Sequence, residues 1–428
     1  MSNRPNRLSL WASDTNQSAR RFLRSPLFPI FMIVFVDVLG FGITIPVLAL
    51  YAQNVFEASA SQIALMSTVF FVGQFMAAPQ LGRLSDQVGR RPVLVLSQIG
   101  TCAALFLSGL APTLVWLYIA RSIDGLTGGN ISVAQAYLND ITDRNNRARG
   151  LGIINAAFGS GFVFGPVIGA LLSAQFGPRV PFYVAGCVSL VTISLSYFML
   201  PESLPVERRK PFRFEWKRLA PINLEGGILT KTVALIMLIG FGSQLAFFSF
   251  QPMFVLWAEK TILAGRDSNE VQRMVGYILT MIGVFGVLTQ FFWFGPLVKR
   301  FGEKTMVIAG NSARGVAWAV MAALPFMLPS LLVLPFMSIG GGVSLPALTA
   351  LLTYVTPAER RGQAIGLLQS AQNIGSIAGP LAAGYLFDHI WPGAPMALAA
   401  FIMAITVAVA VIGLARVHVE MPAAAGGD

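Results

Sequence analysis

Long apolar stretches alternate with short polar turns along almost the whole chain. About 20 apolar residues cross a bilayer as a helix. Twelve segments reach that length: 27–51, 61–81, 92–111, 114–138, 150–173, 181–200, 231–257, 274–296, 304–325, 329–352, 363–386 and 395–415. The pattern predicts an all-α membrane protein with twelve transmembrane helices. One long interruption, 201–230, separates an N-terminal set at 27–200 from a C-terminal set at 231–415, with polar tails at 1–26 and 416–428. Within it, Glu207-Arg208-Arg209-Lys210 and Phe212 to Trp216 read either as a short amphipathic surface helix or as a plain tether.

The two sets repeat each other. The turn Gly82-Arg83-Leu84-Ser85-Asp86-Gln87-Val88-Gly89-Arg90-Arg91 returns in degraded form as Gly295 to Lys304. Gly152 to Pro166 overlays Gly366 to Pro380 at a shift of 214, keeping Gly161/Gly375, Gly165/Gly379 and Pro166/Pro380. Pro46/Pro252 and Tyr51/Trp257 match at a shift of 206. Six helices followed by a parallel copy predict two pseudo-symmetric six-helix bundles, with a substrate site between them.

Charge orients the spans. Of the 30 Lys and Arg, 24 fall on one set of alternate turns together with both tails, against Arg179, Lys260, Arg266 and Arg273 on the other. The positive-inside rule places both termini and the 201–230 loop of a multi-pass membrane protein in the cytoplasm. The basic start, Arg4 to Arg24, reads as a cytoplasmic tail rather than a signal peptide. The chain is 55% hydrophobic and 11% charged, with a mean hydropathy of +0.68, whereas soluble proteins carry about 25% charged residues. That excludes an ordinary globular enzyme. The net charge of +11 is scattered between apolar spans, so nucleic acid is not an expected partner. Cys102 and Cys187 lie inside apolar runs, and His389 and His418 lack partners at metal-ligand spacing. No metal, cofactor or catalytic residue is expected, because no nucleophile–base pair or cofactor loop is present.

A charge inside a span costs about 2.5–3.5 kcal/mol and needs a cavity, a partner or a proton. Four stand there: Asp37, Arg121, Asp124 and Arg314. Asp37 lies about 15 Å into its span. Arg121 and Asp124 are spaced to pair on one helix face. Competition of a proton and a cargo for Asp37 would couple their fluxes. Asp124 reads either as a second site carboxylate or as a structural partner of Arg121. Asn155, Gln244, Gln251, Gln290, Gln369 and Asn373, with Gln74, Gln98 and Gln372, read as cavity lining or as interhelical glue. The abundant Phe and Met pack helices or supply an adaptable apolar wall. In the fifth span, Gly161, Gly165 and Gly169 make one small face for close helix approach, and Pro166 favours a kink. In the basic turn, Asp86 is placed to pair with Arg83, Arg90 or Arg91 and with the next helix start, a clasp that suits a gate.

These residues resemble the major facilitator superfamily, and more narrowly its tetracycline-resistance-like drug/proton antiporters. The resemblance rests on Asp37 to Pro46, the Gly82–Arg91 turn, Arg121-Ser122-Ile123-Asp124-Gly125 with Ala136 to Thr142, and Gly161 to Gly169. It implies a carrier of the cell (inner) membrane, read here as a monomer, that exports lipophilic compounds against protons by alternating access, with the first and fourth spans lining the cavity. It also implies a cytoplasmic gate at Gly82, Arg83, Asp86, Gly89, Arg90 and Arg91, and a seam between halves shaped by Gly161, Gly165, Pro166 and Gly169. Gln290 and the stretch Gly340 to Leu348 keep the family pattern. Three positions depart from it. The family's functional acid falls on Arg314, a second acid on Ala104 and a histidine on Gly286, which argues against tetracycline itself as cargo. Arg314 would attract an anionic or zwitterionic cargo, pair with an acid, or snorkel. The alternative function is a carrier for an endogenous metabolite or lipid-like anion or zwitterion.

Overall fold

The computed structural model describes residues 27–128, 130–142, 147–209, 229–357 and 360–416; Phe212 to Trp216 and His418 lie outside them. Among the described residues every regular element is helical. The first set is α1 (Leu27–Phe56), α2 (Ala60–Val88), α3 (Arg90–Leu110), α4 (Leu114–Thr127), α5 (Asn130–Ile141), α6 (Arg147–Phe176) and α7 (Val180–Met199). The second is α8 (Lys231–Phe250), α9 (Phe254–Lys260), α10 (Ser268–Leu288), α11 (Phe294–Ala323), α12 (Met327–Tyr354), α13 (Arg361–His389) and α14 (Ala394–Ala415).

Nine helical stretches among the described residues are long and apolar enough to cross a membrane. The difference from twelve has local causes. The span 114–138 is interrupted: α4 stops at Thr127, where the Gly128 amide turns back to the Gly125 carbonyl at 3.1 Å. Gln74 of α2 donates to the Gly128 carbonyl at 3.1 Å, so the break at Gly128 leaves that acceptor satisfied. The eighth and ninth spans run together through a wide turn, Thr289–Trp293, into α11, where Gly302 (φ 76°) forms the basic turn. The eleventh, α13, is diluted by Gln363, Gln369, Gln372 and Asn373. The span 231–257 also breaks, at Gln251–Met253, because Pro252 has no amide to donate; the chain restarts as α9.

The repeat holds at atomic detail. A Cβ at Gly161 would stand 2.8 Å from Val38, at Gly165 2.7 Å from Gly42 Cα, and at Gly169 2.2 Å from the Ile43 carbonyl, so this face of α6 lies against α1. In the second copy Gly375 and Gly379 lie against α8, where an added Cβ at each would stand 2.7 Å from a carbonyl (Phe241 and Leu245). Between the halves, Gly276 and Gly283 of α10 meet Ala170 and Phe162 of α6, and Gly384 of α13 meets Ala60 and Ala64 of α2. The small face of the fifth span therefore tightens its own bundle, contrary to the seam role expected for Gly161, Gly165 and Gly169. The adjacent face, with Gly159, Phe162, Pro166 and Ala170, makes the seam.

Packing differs between the two ends. Away from the basic turns one buried core runs through both halves, joining Tyr51, Met66 and Phe182 to Phe250, Trp257, Trp318 and Met403. At the basic end there are two separate cores, one around Ile33, Leu94 and Tyr137, the other around Ile236, Val307 and Leu351. A crevice of about 430 Å³ opens there between α2 and α13. The molecule is shut at one end and split at the other.

Candidate functional site

On the first-half side, α1 to α4, with Phe158 and Phe162 of α6 and Phe248 of α8, enclose a cavity of about 230 Å³ lined by Asp37, Arg121 and Asp124, with Gln74 and Thr101 beside them. The i, i+3 spacing puts an Arg121 terminal nitrogen 3.2 Å from Asp124 Oδ2, and both side chains are buried. Phe70 lies under the guanidinium at 5.9 Å. Arg121 Nε and its second terminal nitrogen meet no hydrogen-bond acceptor among the described residues. Two carboxylates and one guanidinium at the same site leave one excess negative charge when all are ionised. A proton or a cation cancels it, and in a low-dielectric interior that cancellation matters.

A second cavity of about 380 Å³ adjoins it across the seam. Arg314, Gln251 and Gln290 line it with Phe247, Met337 and Ser338. The wide turn Thr289–Trp293 presents Gln290, and Gly286 leaves open the space a side chain would fill. Phe41, Phe158, Phe162 and Phe248 border both cavities. Phe71 of α2 meets Phe248 of α8 edge-on at 4.5 Å, and Phe41 meets Phe162 at 6.0 Å. Aromatic rings thus separate the acidic cavity from the cavity that holds Arg314.

Three expected cavity residues stand elsewhere. Gln244 packs beside Gly375 and lines none of the cavities described here. Gln369 and Asn373 line the basic-end crevice, because their positions on α13 lie nearer that end. Asn155 is on α6, and its side chain lies outside the described residues.

The basic turn closes on its own half. Arg90 pairs with Asp86 at 2.6 Å and with Asp140 of α5 at 3.0 Å, and donates to Ser85 Oγ at 2.6 Å. The start of α3, expected to lie against Asp86, is capped by Glu202, which accepts the amides of Arg90 at 2.9 Å and Arg91 at 3.3 Å. Arg91 reaches the Tyr197 carbonyl and lies over its ring at 5.2 Å. Gly82 lines the crevice, Arg83 is exposed, and Gly89 adopts φ 112°. Glu202 went unread in the sequence; its only signal is the Pro201-Glu202-Ser203 run directly after a span.

At the shut end the halves are joined by polar contacts that also went unread. Asp388, at the tip of α13 beyond the 363–386 span, accepts the Ala60 and Ser61 amides at 3.0 and 2.8 Å. Those amides open α2. Gln53 donates to Glu259 at 2.9 Å and Asn54 to Ser268 at 3.3 Å.

A model of the Major Facilitator Superfamily matches residues 30–263 and 237–427. Over 81% of this chain and 86% of the relative, the sequence is 34% identical to the tetracycline resistance protein, class C, of Escherichia coli. It is 27% identical to multidrug resistance protein 2 of Bacillus subtilis, over 83% and 87% of the two chains. The solved structure of the nucleoside transporter NupG superposes with a TM-score of 0.71 at 15% identity, over 91% of this chain and 98% of that one, a likeness of fold.

Proposed function

The chain belongs to the major facilitator superfamily, and from that premise we propose that it is a proton-coupled secondary transporter exporting lipophilic small molecules by alternating access. The observation that carries this reading is the pair of adjoining cavities. One holds Asp37, Arg121 and Asp124 and is suited to a proton; the other is walled by aromatic rings and suited to an apolar cargo. Relatives named for tetracycline and multidrug resistance support export over uptake of a dedicated metabolite. With the basic turns on the cytoplasmic side of an inner membrane, the split end faces the cytoplasm and the shut end faces outward. The described arrangement is then the cargo-loading state. The bundles at 27–200 and 231–415 rock on the α6–α10 and α2–α13 contacts, and the Gly82–Arg91 turn gates the cytoplasmic mouth.

In this reading Asp37 carries the exchanged proton. Arg121 orders Asp124 and limits how many charges the empty site tolerates. Arg314, Ala104 and Gly286, standing where tetracycline exporters are expected to have polar groups, argue for a cargo other than tetracycline. Drug-evoked proton release from respiring inside-out vesicles tests the reading. The wild type is expected to respond to one chemical class in a panel of cations, phenicols, tetracyclines and anionic amphiphiles, and Asp37→Asn to abolish the response. Silence of the well-expressed wild type across the panel would overturn proton-coupled drug export.

A further inference from the structure

We propose that Arg314 anchors an acidic group of the cargo, so that the exported compounds are amphiphilic organic anions. The proposal rests on the transport reading above and names its substrate class. Arg314 is 6% exposed and lines the apolar cavity. Its guanidinium lies over Phe247 at 5.4 Å and over Trp318 at 5.1 Å. Among the described residues no carboxylate and no hydrogen-bond acceptor reaches it. Ring faces attract a cation but do not replace the acceptors that its planar set of N–H donors requires.

The side chain is held in place rather than trailing toward a membrane surface. A Cβ at Gly340 would stand 3.1 Å from Arg314 Cγ, so α12 packs directly on the shaft, while the two rings hold the head. The remaining polar lining is neutral: Gln251, Gln290 and Ser338, with Ser338 already donating to the Ile282 carbonyl. Asp37 and Asp124 line the other cavity, and Asp124 is engaged by Arg121 at 3.2 Å. The cargo cavity therefore holds a fixed, uncompensated positive charge. A cationic cargo is repelled by it, and a neutral one leaves it desolvated. A carboxylate completes it through two parallel hydrogen bonds, which are strengthened by the low-dielectric surroundings. Phe158, Phe162, Phe248 and Met337 are left for the apolar body, and the volume lies in the range of drug-sized sites.

The test is equilibrium binding to the purified full chain, by calorimetry, of three probes that share one apolar body: naphthylacetate, naphthylacetamide and naphthylethylammonium. The acetate is expected to bind at least about tenfold tighter than the amide, with the ammonium weakest. Arg314→Gln is expected to erase the acetate–amide difference, and Arg314→Lys, which keeps the charge but loses the paired geometry, to retain part of it. Equal binding of acetate and amide by the wild type, no binding of the acetate, or a preference that survives in monodisperse Arg314→Gln overturns the proposal. If Arg314→Gln does not fold, the wild-type comparison and Arg314→Lys decide. Because binding is read without transport, a charge preference combined with no proton movement in vesicles would overturn the export reading and leave only the anion site at Arg314 standing. Proton movement driven equally by acetate and amide would do the reverse.

Discussion

Glu202 gathers the first two amides of α3, and Gly89 makes that approach possible: a Cβ there would stand 2.4 Å from Glu202 Oε2. A carboxylate at this place satisfies donors the helix leaves unpaired and meets the positive end of its dipole. Glu202→Ala is expected to cost about 1–2 kcal/mol, seen as a lower melting temperature in detergent. Gly89→Ala should also destabilise, and the double variant by less than the sum, since no carboxylate is left to displace. Asp388 gives a pH-dependent counterpart at the other end. Its burial would raise the carboxyl's pKa, but hydrogen bonds from Ser61, Ala60 and Ser59 outweigh that and hold it below the usual carboxylate range. A lowered value in the shut state means the ionised form favours closure. That contribution is full above the ordinary carboxylate range and is lost as pH falls through the lowered value. Acid on this face is expected to open the end, and Asp388→Asn to open it at neutral pH and remove the dependence. Spin-label distances between α2 and α13 across pH would show this, and an unaltered pH response in the variant would count against it. The membrane-buried Asp37, Arg121, Asp124 and Arg314 were legible in the chain because a charge inside a span is costly. Glu202 and Asp388 were not: a carboxylate at a helix end is unremarkable, and Asp388 meets its partner Ala60 across 328 positions.

Helices were legible as apolar stretches, and their breaks were not. Hydropathy is insensitive to whether the Gly128 carbonyl finds Gln74, or to whether a proline falls mid-helix, as Pro46 and Pro166 do without ending α1 and α6, or ends one as Pro252 does. Spacing likewise showed that α6 carries a small face but not which neighbour it meets. That neighbour is α1, and the contact is close enough to test. Gly169→Ala would set a Cβ 2.2 Å from the Ile43 carbonyl, an overlap relieved only by moving one helix backbone. It is expected to lower the yield of folded protein sharply. Gly152→Ala, on the same helix with nothing within 4 Å among the described residues, is expected to be neutral or to stabilise, by up to about 1 kcal/mol through helix propensity. Size-exclusion profiles of the two variants side by side decide it; equal profiles would mean that the α1–α6 contact yields readily.

Taken whole, the molecule has one core at its shut end and two at its split end, so alternating access requires the shared core to part while α2 and α13 close together at the basic turns. Gln53→Cys with Glu259→Cys, in a background with Cys187→Ser, tests this: a short bifunctional thiol reagent is expected to stop transport. It should also hold the crevice lining, including Asn373, open to labelling. Transport that continues after complete cross-linking would show that this end need not open. Twelve spans and their two-fold repeat were plain in the chain, whereas the direction in which it stands open was not, since both states use the same sequence. The four charges inside the spans carry a further consequence, for voltage. With both carboxylates ionised, Asp37 and Asp124 balance Arg121 and Arg314, and the membrane interior of the empty carrier is electrically neutral. Loaded with an organic anion it would travel outward as −1, and reset with one proton on Asp37 as +1. In an inside-negative cell the field drives both journeys, with about 2.3 kcal/mol per charge per 100 mV. Such a carrier would run on electrical potential even where the two sides have the same pH.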